Sequence, residues 1–198
     1  RALIPRPETE ILVDVILKTE NLWKRERPIL ADVGTGSGCI AITLSLAHPE
    51  ALFVALDTND EAVQLARENA AQLNAPGNIA FAQGELCDNV EPQSLDAIVA
   101  NLPYVPTARY KELPAHIRHF EPESALDGGP DGLSVIEAVA QDAVAALKDA
   151  GLIFLEIDES HGNRVSQILT ELGFTGIEIK KDLADKDRIA TATLSPVS

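Results

Sequence analysis

Two cysteines in 198 residues are too few for a disulfide framework. Cys39 and Cys87 each sit beside hydrophobic residues and read as small reduced core positions rather than a redox pair. No apolar run approaches the ~20 residues of a membrane span, and no signal-peptide pattern opens the chain. Four scattered histidines give no metal-ligand spacing. Basic residues are scarce, 16 against 31 acidic ones, for a net charge of −15. That field repels phosphate and argues against a generic nucleic-acid binder, although a local basic patch stays open. Methionine is absent and the chain begins at Arg1, so an excised domain is the expectation. No repeat, low-complexity tract or linker interrupts it. What remains is an ordinary globular composition, 45% hydrophobic and 24% charged, which excludes disorder. Folding at this length buries roughly 70% of the surface the unfolded chain exposes, enough for a core without disulfides. One soluble domain over 1–198 is expected.

Short apolar runs alternate with longer amphipathic ones, the signature of an α/β sheet. Pro7 opens a helix, with Glu8 and Glu10 near its positive end and Ile11, Leu12, Val15 and Ile16 at helical spacing. Strands are predicted over 29–33, 52–56, 79–82, 95–100 and 152–157, with two more near the end. Helices are predicted over 39–47, 60–73, 133–148 and 162–172. The stretch from Asn101 to Gly132 differs, carrying five prolines and three glycines near its end. A loop this long in a compact domain is functional or mobile.

After the first strand comes Gly34-Thr35-Gly36-Ser37-Gly38, and the second strand ends at Asp57, nineteen residues beyond Gly38. Glycines permit positive φ and let a ligand approach the backbone, and an acid at the second strand's end can accept hydrogen bonds from two ribose hydroxyls. A dinucleotide loop needs G-x-G-x-x-G, but Cys39 occupies the third position and glycine sits one place early. That form, preceded by Asp32, suits S-adenosylmethionine better than NAD. The plainer readings are a tight strand-to-helix turn for the glycines and a cap near Asn59 for Asp57.

Directly after the fourth strand stand Asn101-Leu102-Pro103-Tyr104. Ligands of open α/β sheets bind at the carboxyl ends of the strands. An asparagine oxygen and a backbone carbonyl there could grip both hydrogens of a planar NH2 group, and Tyr104 could stack against it. Holding such a nitrogen in line with a sulfonium methyl makes a poor nucleophile effective through orientation. Alone, the motif could also be a turn.

The chain resembles the protein-(glutamine-N5) methyltransferases that modify peptide chain release factors. The likeness runs through Ile4-Pro5-Arg6-Pro7-Glu8-Thr9-Glu10, Asp32 to Ala41, Asn101 to Tyr104, Glu121 to Leu126, Gly128 to Leu133, Glu156-Ile157 and Asp187-Arg188. It implies a class I S-adenosylmethionine-dependent methyltransferase domain, a Rossmann-like seven-stranded sheet with helices on both faces, led in by a helical segment over 1–24. It further implies a cytoplasmic enzyme that methylates the glutamine amide of a Gly-Gly-Gln motif and leaves S-adenosylhomocysteine. By position, Asp32, Gly34, Thr35, Gly36, Ser37, Gly38, Asp57 and Asn101 resemble cofactor residues. Glu85, with Leu86 beside it, resembles the acid near the adenine edge. Asn101, Leu102, Pro103 and Tyr104 resemble the glutamine clamp. A small helical domain upstream, helping to recognise the protein substrate, is also implied. Two departures stand out: Leu102 replaces the commonest second residue, proline, and Asp158-Glu159-Ser160-His161 follows where a glutamine is common.

Arg6 and Glu8, with Glu10, could close over cofactor or substrate, or merely start a helix. Arg109, Lys111, His116, Arg118 and His119 form a basic cluster that reads as a solvated lid or a contact for an acidic partner. His161 reads as a surface helix residue and Trp23 as a cover for the core edge. Two rivals remain. One is methylation of an exocyclic amino group of DNA or RNA, where base flipping needs phosphate contacts. The other is a binding module without catalysis.

Overall fold

The computed structural model describes residues 6–87, 90–114 and 125–196. Helix α1 (Pro7–Leu17) starts with proline in its first turn beside Glu8 and Glu10, as expected. A short α2 (Glu20–Trp23) leads to strand β1 (Ile29–Val33), helix α3 (Cys39–Ala47) and β2 (Leu52–Asp57). Helix α4 (Asp60–Gln72) is capped by the Asn59 side chain, which accepts from the Glu61 N–H. Then come β3 (Ile79–Gln83), β4 (Leu95–Ala100), the single turn α5 (Thr107–Tyr110) and α6 (Ser134–Ala146). Strand β5 (Leu147–Glu156), helix α7 (Gly162–Glu171), β6 (Phe174–Lys181) and β7 (Asp187–Leu194) complete the order. None of the described helices is long and apolar enough to cross a membrane.

The seven strands form one sheet in the order β3-β2-β1-β4-β5-β7-β6. All pairs are parallel except those of β7, which runs against β5 and β6. Strands β4 and β5 alternate between two apolar layers: Ile98, Ala100, Ile153 and Leu155 face α6 and α7, while Val99, Leu152 and Phe154 face α1 and α3. Burial on both faces is why these strands read as continuous apolar runs. The register has a direct functional consequence. Val33 stands opposite Leu56 and Ala100, and Ala100 opposite Leu155. One step further along each chain come Gly34, Asp57, Asn101 and Glu156, which therefore share one edge of the sheet.

The largest difference in boundary from the sequence reading lies between α6 and β5. Helix α6 ends at Ala146, two residues early, and β5 begins at once. Leu147 pairs with Leu95 before a bulge in which Ala150 takes a φ of +57°. The Lys148 ammonium, 2.7 Å from Asp96 Oδ2, holds that start against β4. The proline-rich stretch is not a plain loop where it is described. Val105 bridges to Asp127, its N–H donates to Leu126 O, and its carbonyl accepts from Gly128.

Candidate active site

The glycine loop is held by its own neighbours. Asp32, buried beneath it, accepts from the Thr35 hydroxyl at 2.7 Å and the Ala41 N–H at 3.1 Å through Oδ2. Its Oδ1 is buried and has no partner among the described residues. Burial raises the Asp32 carboxyl from 3.8 to about 6 despite those bonds. Gly34, Gly36 and Gly38 have φ of +71°, +56° and +80°, a region that glycine enters without penalty. Asn69 on α4 donates to the Ser37 carbonyl at 2.8 Å and ties the loop to the next helix. At the end of β2, Asp57 accepts the Gly36 N–H and the Asn59 N–H, both at 2.9 Å. A carboxylate offers about four lone-pair positions, so capacity remains for further donors. Glu85 is exposed just past β3, with Leu86 half-buried beside it, and Gly84 donates to the Asp57 carbonyl.

On the other side of β1, Asn101 follows β4, and Leu102 is buried against the glycine loop. A Cβ placed on Gly34 would come within 2.8 Å of Leu102 Cδ2. Leu102 is therefore a packing contact between the glycine loop and the segment that follows β4. Asn101 Nδ2 donates to Thr9 Oγ1 at 3.0 Å, and Thr9 in turn donates to Glu156 Oε2 at 3.0 Å. The Tyr104 hydroxyl reaches Glu156 Oε1 at 3.4 Å. Burial, with some help from Glu8, raises Glu156 from 4.5 to about 7, against the bonds from Thr9 and Tyr104 and the charge of Arg188. Burial and the adjacent Glu156 push the Tyr104 phenol up as well.

The glycine-rich block packs closely against the backbone of Pro103 and Tyr104. A Cβ on Gly128 would stand 2.6 Å from Pro103 O, and one on Gly132 2.3 Å from Tyr104 O. Thr107 joins in, donating its hydroxyl to Asp127 Oδ1 at 2.7 Å and its N–H to the Gly129 carbonyl. Glu121 to Ser124 of the same block lie outside the described residues.

The remaining candidates fall in different places. Arg6 and Glu10 line a groove of about 530 Å³ between α1 and α3, shared with Val13, Cys39 and Thr43. Glu8 lies close enough for its charge to act on Glu156 and Tyr104. Arg109 is ion-paired to Asp158 at 3.0 Å, so it fastens α5 to the loop after β5. Lys111 is exposed, while His116, Arg118 and His119 lie outside the described residues. His161 is not a surface residue: it is buried, because Gly132 has no side chain and leaves room for the imidazole. Trp23 packs on the apolar layer and stacks on His48 at 3.6 Å. Burial pushes the Cys39 thiol up to about 11, in keeping with an unreactive free cysteine. Three residues were given no role by the sequence reading: Thr9, Glu156 and Arg188. An acid closing the apolar run Leu152–Leu155 was a usable signal for Glu156, but nothing local marks Thr9.

Residues 8–116 match the family model of the methyltransferase small domain. The chain is 39% identical over 187 residues to a release factor glutamine methyltransferase of Thermodesulfovibrio yellowstonii, covering 94% of this chain and 67% of that protein. It is 40% identical over 193 residues to the enzyme of that description from Neisseria gonorrhoeae, covering 94% and 67%. The chain belongs to the release factor glutamine methyltransferase family. It spans about two thirds of the length of these family members. Solved structures share its fold: a ribosomal protein L11 methylase from Lactobacillus delbrueckii subsp. bulgaricus has a TM-score of 0.66 at 23% identity, covering 98% of this chain and 81% of its own. A methyltransferase from Pyrococcus furiosus reaches 0.69 at 16%, covering 99% and 86%. The family's fold here is thus that of S-adenosylmethionine-dependent methyltransferases, as the sequence resemblance implied. The residues present fit that cofactor. The three alternating loop glycines lie in the left-handed region, and the Asp57 carboxylate keeps acceptor capacity at the end of β2.

Proposed function

We propose that this domain methylates the glutamine side-chain amide of the Gly-Gly-Gln motif in a peptide chain release factor. The observation that carries the reading is the placement of Asn101. It stands at the carboxyl end of β4, its amide nitrogen is engaged by Thr9, and no described residue donates to its Oδ1. S-adenosylmethionine, when bound, supplies an electrophilic methyl group on a sulfonium sulfur.

Gly34 to Gly38 and Asp57 would hold that cofactor through backbone and carboxylate, with Glu85 and Leu86 at its adenine side. Asp32 acts from below by fixing the loop's shape. An amide nitrogen is a weak nucleophile, so the protein's part is mainly orientation. Asn101 Oδ1 and the Leu102 carbonyl accept the two N–H groups of the substrate amide, and Pro103 restrains Leu102 to an extended conformation. Tyr104 walls the planar group. No strong base is needed before attack, because a proton can leave once nitrogen has become cationic. Arg6 and Glu8 are placed to meet the substrate loop from the start of α1. A release factor as partner sets the location as the cytoplasm, and the chain acts as one methyltransferase domain. A net charge of −15 disfavours methylation of nucleic acid.

Intact-mass analysis tests this reading. A release factor incubated with the chain and S-adenosylmethionine gains one methyl group, and the same factor with Gly-Gly-Ala gains none. Methylation of DNA or RNA instead would overturn the assignment of substrate.

A further inference from the structure

We infer that Thr9 is a positioning residue that decides which way the Asn101 carboxamide faces, through a hydrogen-bond chain anchored on Glu156. The inference rests on the clamp reading above. A carboxamide carries oxygen on one side and NH2 on the other, and a half-turn exchanges them. Only the oxygen can accept the N–H of a substrate amide, and the shape of the asparagine favours neither setting. The choice is made next door. An ionised Glu156 can only accept. Thr9 has a single hydroxyl proton, directed to Glu156 Oε2 at 3.0 Å. Its oxygen is then an acceptor toward Asn101, which must present Nδ2, the contact found at 3.0 Å. Oδ1 is left for the substrate. Thr9 and Glu156 are 4% and 1% exposed, so the Thr9–Glu156 link is shielded from bulk solvent.

The same chain has a second setting. When Glu156 takes up a proton, its O–H can donate to Thr9, whose own proton is released toward Asn101. The carboxamide then turns its oxygen to Thr9 and presents NH2 to the substrate, which cannot use it. The groups facing Glu156 are Thr9 and Glu8 from α1, Tyr104 from the segment after β4, and Arg188 from β7. Burial and Glu8 favour the proton, while Thr9, Tyr104 and Arg188 favour the charge, and the balance near 7 places the switch in the neutral range.

Thr9→Val keeps the branched shape and removes the hydroxyl, while Thr9→Ser keeps the hydroxyl. The expected result is a kcat lowered about tenfold in Thr9→Val and largely restored in Thr9→Ser, the size of one lost hydrogen bond. Affinity for S-adenosylmethionine by titration calorimetry stays unchanged in both. Wild-type kcat rises with pH through the Glu156 ionisation, and that limb is missing in Thr9→Val and Glu156→Gln. Without any substrate, the 15N side-chain resonance of Asn101, assigned by its loss in Asn101→Ala, titrates in the wild type and not in Thr9→Val. A wild-type kcat and pH limb in Thr9→Val, equal losses in Thr9→Ser and Thr9→Val, or an Asn101 resonance that ignores pH would each overturn the inference. Asn101→Ala separates the two readings. Full turnover there removes the clamp itself, whereas a deep loss there beside an unaffected Thr9→Val removes only the role of Thr9.

Discussion

The glycine loop and the clamp share one row of the sheet, yet the hydrogen bonds that fix them come from different distances along the chain. Those of the loop join Asp32, Thr35, Gly36, Ser37, Ala41, Leu56, Asp57 and Asn69, all within β1 to α4. Those of the clamp reach to Thr9 near one end of the chain and to Glu156 on β5, and the residue that follows the clamp, Val105, pairs with Leu126 and Gly128 at the far end of the proline-rich stretch. Closing such long separations costs chain entropy that only the completed fold repays. The loop can therefore take shape with its local βαβ unit, whereas the clamp exists only when the whole sheet does.

The most direct way to break this comparison is a crossed pair of substitutions. Asn101→Ala lowers kcat about a hundredfold or more through lost positioning, with cofactor affinity nearly unchanged. Asp57→Ala does the reverse: cofactor Kd rises about tenfold, as the hydrogen bonds to Gly36 and Asn59 and those offered to ribose are lost. Equal effects on Kd and kcat from either change would mean that the two regions are one unit.

A second test concerns the buried acids, one on each side. Asp32 and Glu156 hold protons more tightly folded than unfolded. Their contribution favours the folded state at low pH and is lost as pH rises, from about 4 to 6 for Asp32 and from 4.5 to about 7 for Glu156. Asp96 and Asp158 act oppositely. Although burial raises both, hydrogen bonds, from Lys148, Ile29 and Arg25 to Asp96 and from Ser160 to Asp158, hold them below 3.8, so their contribution is lost only as pH falls below about 4. Stability against urea should accordingly peak near pH 4 and decline up to about pH 7. Asp32→Asn should remove about 3 kcal/mol of that decline, the equivalent of moving the carboxyl from 3.8 to about 6. Parallel curves for the variant and the wild type would show that Asp32 is already neutralised by something else.

The smallest effect is expected at the rim. Arg109→Ala should cost under about 1 kcal/mol, because the arginine is half exposed and solvent screens its pairing with Asp158. A fall in kcat much larger than that stability loss would give α5 a part in holding the substrate.

Legibility in the sequence followed the same division. Strands and helices were readable because apolar residues recur at regular spacing, and the loop with Asp57 was readable because its parts are neighbours. The brace around the clamp was visible only as an unexplained cluster of glycine and proline. Its meaning, close approach of Gly128 and Gly132 to the backbone of Pro103 and Tyr104, depends on contacts across the sheet. Thr9 was hidden between two acids whose placement at a helix start already accounted for them. His161 was misread because four polar residues in a row suggest solvent, while the space that receives it is set by a distant glycine.

Strand β7 is the one strand that starts where the others finish. Ile189 pairs with Glu156, and Arg188 therefore arrives at the site from a hairpin, with no helix in between. A hairpin can lengthen, shorten or change its charges without re-threading the sheet. The turn supplies Asp182, the ion-pair partner of Arg188, so the charge felt by Glu156 can be tuned from that hairpin while the strands that carry the loop and the clamp stay as they are.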